Sequence, residues 1–140
     1  MKSLKIAIID ENKEMLGELN DILNMGGYSS ILINDPLLAV DTVVENKPDV
    51  VLMELRMPQK NGFELTHEIN RVFETKRMPV IAMSETFKYE FRWLLEMCGI
   101  KRCIKKPFHP LDIIWAIENE IEEDYQIGRT NRLEGIGITV

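Results

Sequence analysis

Five short runs of apolar, largely β-branched residues recur along this chain of 140 residues, and each is followed by a stretch with helical spacing. The runs are Lys5 to Ile9, Tyr28 to Ile33, Val50 to Met53, Pro79 to Met83 and Arg102 to Lys105. They do not alternate apolar with polar, as a half-exposed strand would. Near-continuous apolar strands are buried on both faces, and a sheet of that kind is parallel and covered by helices.

The intervening stretches supply those helices. From Glu14 to Met25, apolar Met15, Leu16, Leu19, Ile22 and Leu23 fall on one helical face. Gly26-Gly27 ends that helix, because glycine takes the left-handed conformation of a C-cap without strain. Asp35-Pro36 reads as an N-cap followed by proline at the first helical position, and Leu37, Leu38, Val40, Val43 and Val44 carry the helix that follows. Further helices are expected over Gly62 to Phe73, Thr86 to Met97 and Pro110 to Glu123. Five βα units joined by right-handed crossovers give an α/β fold, a doubly wound flavodoxin-like (βα)5 sandwich with strand order 2-1-3-4-5. No repeat or low-complexity segment interrupts it.

Composition excludes several classes. Apolar residues make up 45% of the chain, enough for a core, and the size suits a single domain. The net charge of -6 with scattered Lys and Arg gives no nucleic-acid surface. Cys98 and Cys103 lack metal-ligand spacing and fit a reducing compartment as core thiols. No run approaches the roughly 20 apolar residues of a membrane span. The N-terminus reaches Asp10 and Glu11 too soon for a signal peptide. A cytoplasmic protein is expected.

In this topology a site forms beyond the carboxyl ends of the strands, where the strand order reverses between the first and third. The residues there are Asp10 and Glu11 after the first strand, Glu54 after the third, Ser84 after the fourth and Lys106 after the fifth. Clustered carboxylates raise one another's pKa unless a cation joins them. Oxygen donors of this kind suit Mg²⁺.

The segment PDVVLMELRMPQKNGFEL, Pro48 to Leu65, resembles the phosphoacceptor region of a response-regulator receiver domain, the CheY-like module of two-component signalling. The resemblance extends over about nine-tenths of the chain. It implies that Asp10 and Glu11 are the acidic pair that holds Mg²⁺, with Glu54 at the phosphoacceptor position and the backbone carbonyl of Arg56 as a further metal ligand. Ser84 matches the Thr or Ser that contacts the phosphoryl group. Lys106-Pro107-Phe108 resembles the signature that brings a lysine to the phosphate before a cis proline. Met57-Pro58 and Asn61-Gly62 resemble the turn that follows the acceptor.

Three residues depart from the family pattern. Glu54 replaces the acceptor aspartate and adds one methylene of reach. Glu85 follows Ser84 where a small residue is usual, adding bulk and negative charge. Cys103 stands at the switch aromatic, so the usual rotamer coupling to the output face is absent. The resemblance therefore implies a signalling receiver that is not phosphorylated by the usual route and acts through protein–protein contact, without enzymatic activity. Two alternatives stand beside it. One is a conventional phosphorylatable regulator whose aspartate has been replaced by an activation-mimicking Glu. The other is a small Mg²⁺-dependent phosphoryl-transfer enzyme on a flavodoxin-like fold.

Each site residue also has a plainer reading. Asp10 and Glu11 cap a helix, Ser84 is an N-cap, and Glu54 forms a structural ion pair with Lys106. His67 belongs to the third helix and His109 to the turn before the fifth. On the fourth helix, Phe87, Phe91, Leu94, Leu95 and Cys98 turn inward and Trp93 outward. On the fifth, Ile113, Ile117 and Ile121 form the inward stripe, with Leu111 and Trp115 on a flank. The face made by the fourth helix, fifth strand and fifth helix is then the expected contact surface for a histidine kinase, an output protein or a second copy. The domain is expected over residues 1–123. Residues 124–140 are read as a tail, as a strand added to another subunit, or as a linker to an output domain.

Overall fold

A computed structural model gives the architecture. It describes residues 3–73, 78–86 and 88–135, those from 124 onward as helical backbone. Five parallel strands form one sheet: β1 (Lys5–Ile9), β2 (Ser29–Ile33), β3 (Val50–Glu54), β4 (Val80–Ser84) and β5 (Arg102–Lys105). Their order is β2-β1-β3-β4-β5, the order expected from the sequence. The helices are α1 (Lys13–Met25), α2 (Ala39–Asn46), α3 (Gly62–Val72), α4 (Tyr89–Cys98) and α5 (Pro110–Gly135).

Two cores flank the sheet because successive side chains along a strand point to opposite faces. Val51, Met53 and Ala82 face α2, α3 and α4, meeting Val43, Leu65 and Leu95. Ile6, Ile8 and Leu52 face α1 and α5, meeting Leu19, Leu23 and Ile113. A fully buried aliphatic side chain contributes roughly 1.5–3 kcal/mol, so truncating one such as Leu52 to alanine costs about 2–5 kcal/mol.

The caps explain where the helices begin and end. Asn12, not Asp10 or Glu11, caps α1: its Oδ1 accepts from the backbone N–H groups of Glu14 and Met15 at 3.0 and 3.1 Å. Gly27 takes φ 84° after α1, and the Tyr28 N–H closes back onto Leu23 O at 2.9 Å, so Tyr28 completes the helix end and β2 starts one residue later. Asp35 Oδ1 accepts from Leu37 N, capping a short 3₁₀ turn over Pro36–Leu38 that leads into α2.

The helix bounds differ most from the sequence expectation at the start of α4 and the end of α5. α4 starts at Tyr89 rather than Thr86. The Ser84 hydroxyl donates to Thr86 O and accepts from Thr86 N at 2.9 and 3.3 Å, which holds those residues in a turn and delays the helix. α5 continues past Glu123 to Gly135. Its inward stripe is as expected, with Ile113 and Ile117 buried and Ile121 half-buried. Phe87 and residues 136–140 lie outside the described residues.

Candidate functional site

The site lies at the carboxyl edge of the sheet, and strand parity decides which side chains meet there. Along β1, Ile6 and Ile8 point into the α1–α5 core, and the alternation carried two residues further puts Asp10 on that side. Along β3, Val50 and Leu52 point the same way, and so does Glu54. Lys106 keeps the parity of Ile104, which packs against the same core. Ser84 keeps the parity of Ala82, which faces the other core. The sheet thus gathers Asp10, Glu54 and Lys106, and turns Ser84 into its own loop.

The contacts follow. Lys106 Nζ donates to Asp10 Oδ2 at 2.7 Å and stands 3.0 Å from Glu54 Oε2. All three residues are buried, at 8, 3 and 7% exposure. The second contact is an ion pair without hydrogen-bond alignment, so Glu54 Oε2 is a buried oxygen with no hydrogen-bond donor. Asp10 is further fixed through Oδ1, which accepts from Asn12 N at 3.0 Å. The Lys106–Pro107 bond is cis, as the signature implied. Gly62 completes the frame: its N–H donates to Leu55 O at 3.0 Å, and a Cβ there would meet Glu54 O at 2.9 Å. Its missing side chain is what lets α3 start directly against the end of β3.

Burial and pairing oppose each other in the titration of this cluster. Burial pushes the Glu54 carboxyl above the ordinary glutamate value, and Asp10 adds to that, while Lys106 and the Arg56 backbone N–H pull it down without reversing it. For Lys106, burial favours the neutral amine, but the hydrogen bond to Asp10 and the charges of Asp10 and Glu54 outweigh it and raise the ammonium's pKa. Burial, with the Glu54 charge, raises the Cys103 thiol. Cys103 packs against the α2–α4 core, and Cys98 and Cys103 are not joined in a disulfide.

The donor types, the carboxylates of Asp10, Glu11 and Glu54, suit Mg²⁺. Among the described residues no three acidic, histidine or cysteine side chains converge as a metal cage. The Lys106 ammonium stands between Asp10 and Glu54 and already supplies the positive charge the two carboxylates need. Glu11 is half-buried and forms no ion pair among the described residues, and Arg56 is exposed after β3. Glu85 is exposed beside Ser84.

Sequence reasoning missed a second charge cluster. Arg102 of β5 binds both Glu120 and Glu123 of α5, and its guanidinium lies 5.8 Å from the Trp115 ring centre. Lys101 pairs with Glu123 at 3.2 Å. Glu120 and Glu123, three apart on one helix, were the available clue. His67 is exposed on α3, and His109 Nδ1 accepts from Leu111 N at the start of α5.

Comparisons with known proteins agree with this geometry. The family model described as the response regulator receiver domain matches residues 6–118. A response regulator receiver domain protein from Clostridium thermocellum superposes with a TM-score of 0.81 at 24% identity, covering 89% of this chain and 98% of its own. A CheY-like receiver protein from Methanospirillum hungatei gives 0.82 at 19%, covering 89% and 98%. The Vibrio cholerae chemotaxis protein CheY4 gives 0.79 at 19%, covering 84% and 98%. At these identities the structures establish the fold alone. Among the described residues no helix is long and apolar enough to cross a membrane. Receiver domains are signalling modules rather than enzymes, and with the family model spanning most of its length this chain belongs to the response regulator receiver domain family of two-component signalling.

Proposed function

We propose that this chain is an atypical receiver domain, with Glu54 at the phosphoacceptor position, that signals through protein–protein contact without being phosphorylated. One observation carries the reading: a buried ammonium, Lys106, ties Glu54 and Asp10 together. A carboxylate that must attack a phosphoryl donor needs access and a counter-cation that leaves it free. Glu54 is buried, and its nearest cation is built into the chain. The Ser84 hydroxyl is engaged by Thr86, and Cys103 supplies a core thiol in place of an aromatic switch. Glu54 then imitates the phosphorylated state in part, with at most one negative charge where a phosphoryl group carries about two. Neutralisation of the acidic site is assigned to Lys106 in place of Mg²⁺.

The partner is a histidine kinase, an output protein or a second copy of this chain in the cytoplasm, met through the α4–β5–α5 face. Trp93, Leu111 and Trp115 are 64, 67 and 61% exposed there. Beside them an open cavity of about 590 Å³ runs along β5, walled by Trp115, Pro107 and Ile104. Large exposed aromatics are frequent interface anchors.

Intact mass after incubation with acetyl phosphate and Mg²⁺ tests the central step. The wild type keeps its mass, whereas Glu54→Asp acquires a labile phosphoryl group. A phosphoryl adduct on the wild type that disappears in Glu54→Gln overturns the reading.

A further inference from the structure

We infer that the segment Ile136 to Val140 of one copy adds as a strand to the open edge of β5 in a second copy. The inference rests on the proposed role of the α4–β5–α5 face and names what fills it.

β5 ends the sheet, so one of its sides has no neighbouring strand. In a parallel ladder alternate residues turn their backbone groups to the same side. The Lys106 N–H donates to Ser84 O at 2.8 Å, so Ile104 shares that side, and the N–H and C=O groups of Cys103 and Lys105 point off the edge. Such an edge is a template for an added strand. The cavity of about 590 Å³ lies along it, with Ile104, Pro107, Trp115 and Ala116 as its apolar wall. The charges that border the cavity are answered inside the chain. Arg102 is bound by Glu120 and Glu123, and Lys101 by Glu123. Asp112 accepts from the His109 N–H at 3.0 Å, and Lys105 is exposed to water. The occupant that fits is an uncharged extended segment with its apolar side chains on one face.

The sequence holds one. Residues 136–140 read IGITV and carry no charged side chain. Side chains alternate along a strand, so Ile136, Ile138 and Val140 share one face, with Gly137 and Thr139 on the other. The three β-branched residues suit the apolar wall, and glycine and threonine suit water.

Reach decides whose edge is filled. α5 starts just past the carboxyl end of β5, and its Glu123 meets Lys101, just before the start of β5, at 3.2 Å. The helix therefore runs back along the strand, and it continues to Gly135, roughly 18 Å further at about 1.5 Å per residue. Residues 136–140 span about 18 Å at most when fully extended. The return to the start of β5 would consume all of that reach and leave nothing to pair. The segment is thus barred from its own β5 and meets that of another copy. Each copy offers one segment and one edge, so two copies that exchange them leave neither edge open.

Sedimentation velocity and amide exchange of the full chain test this. The wild type is expected to approach the dimer coefficient as concentration rises. Ile138→Asp puts a charge on the apolar face of the segment and is expected to stay monomeric, as is Ile136→Asp. Thr139→Asp, on the opposite face, keeps the association. Thermal melts establish that all three variants are folded. The Cys103 and Lys105 amides are expected to exchange more slowly in the associated wild type than in Ile138→Asp, because the added strand takes up their N–H groups. A monomeric wild type at every concentration overturns the inference. So does association that survives Ile138→Asp or is lost alike in Thr139→Asp, and so do Cys103 and Lys105 amides that exchange alike in wild type and Ile138→Asp. A monomeric wild type whose mass acetyl phosphate leaves unchanged overturns only this inference; a phosphoryl adduct overturns only the proposed function.

Discussion

Two clusters in this molecule place one cation between two carboxylates, and they differ in nearly everything else. Lys106 joins Asp10 and Glu54 across the carboxyl edge of the sheet, with all three residues buried and drawn from three separate strand ends. Arg102 joins Glu120 and Glu123 between β5 and the helix that directly follows it. There the side chains are 16, 8 and 43% exposed, and Trp115 covers the guanidinium. Taking charges out of water is costly, so a buried pair is poor evidence of stabilisation, yet removing one partner of it is severely destabilising. The comparison teaches that the Lys106 cluster stands where a site must be, with its cost unrelieved by solvent, while the Arg102 cluster fastens α5 to the sheet.

The largest effect is expected from Lys106→Met. It leaves two buried carboxylates without a cation and should cost about 3–5 kcal/mol. Millimolar Mg²⁺ should recover part of that loss in the variant and do little for the wild type, because a ligand that binds only the folded state stabilises it by mass action. The wild-type contribution has a defined pH sense. The folded Lys106 pKa is raised, so its stabilisation is complete below the unfolded lysine value and is lost as pH rises through the folded one. Thermal melts into the alkaline range read both effects. Loss of stability no greater than that of Arg102→Met would erase the distinction between the clusters.

Arg102→Met should cost less, about 1.5–3 kcal/mol, the scale of hydrogen bonds to charged groups. Its exposed partner Glu123 rehydrates, and Glu120 can take up a proton because burial already raises its pKa against the pull of Arg102. A raised carboxyl favours the folded state below the unfolded value and loses that advantage as pH rises through the folded one. The deficit of this variant should therefore shrink toward acidic pH, and urea unfolding at two pH values measures it.

The smallest effect belongs to Trp115→Ala. Trp115 is mostly exposed and its stacking with Arg102 is worth about 0.5–1 kcal/mol. The melting temperature should fall by less than about 4 °C, while binding to any partner of this face weakens. Unfolding of the variant would move Trp115 into the core.

The fold was legible because strand period and apolar runs are local properties. KIAII and VVLM announce buried strands, and Gly26-Gly27 and Asp35-Pro36 announce helix limits, before any partner is known. The meeting of Asp10, Glu54 and Lys106 was legible through topology, since strand order places their ends together. What escaped was what depends on side-chain reach. Asn12 displaced Asp10 and Glu11 as the cap of α1. Ser84 spent its hydroxyl on Thr86 and shortened α4. Arg102 found two glutamates on the following helix, whose spacing of three marks a shared face but does not name the cation that meets it.

The claim that Glu54 is held as a buried ion pair by Lys106 is tested most directly by a carbon-detected NMR titration of the Glu54 side-chain carboxyl. In the wild type its midpoint should lie above the ordinary glutamate value, because burial outweighs the pull of Lys106. In Lys106→Met that pull is gone and the midpoint should rise further. An ordinary midpoint, unmoved by the substitution, would mean that Glu54 is solvated and that Lys106 does not hold it.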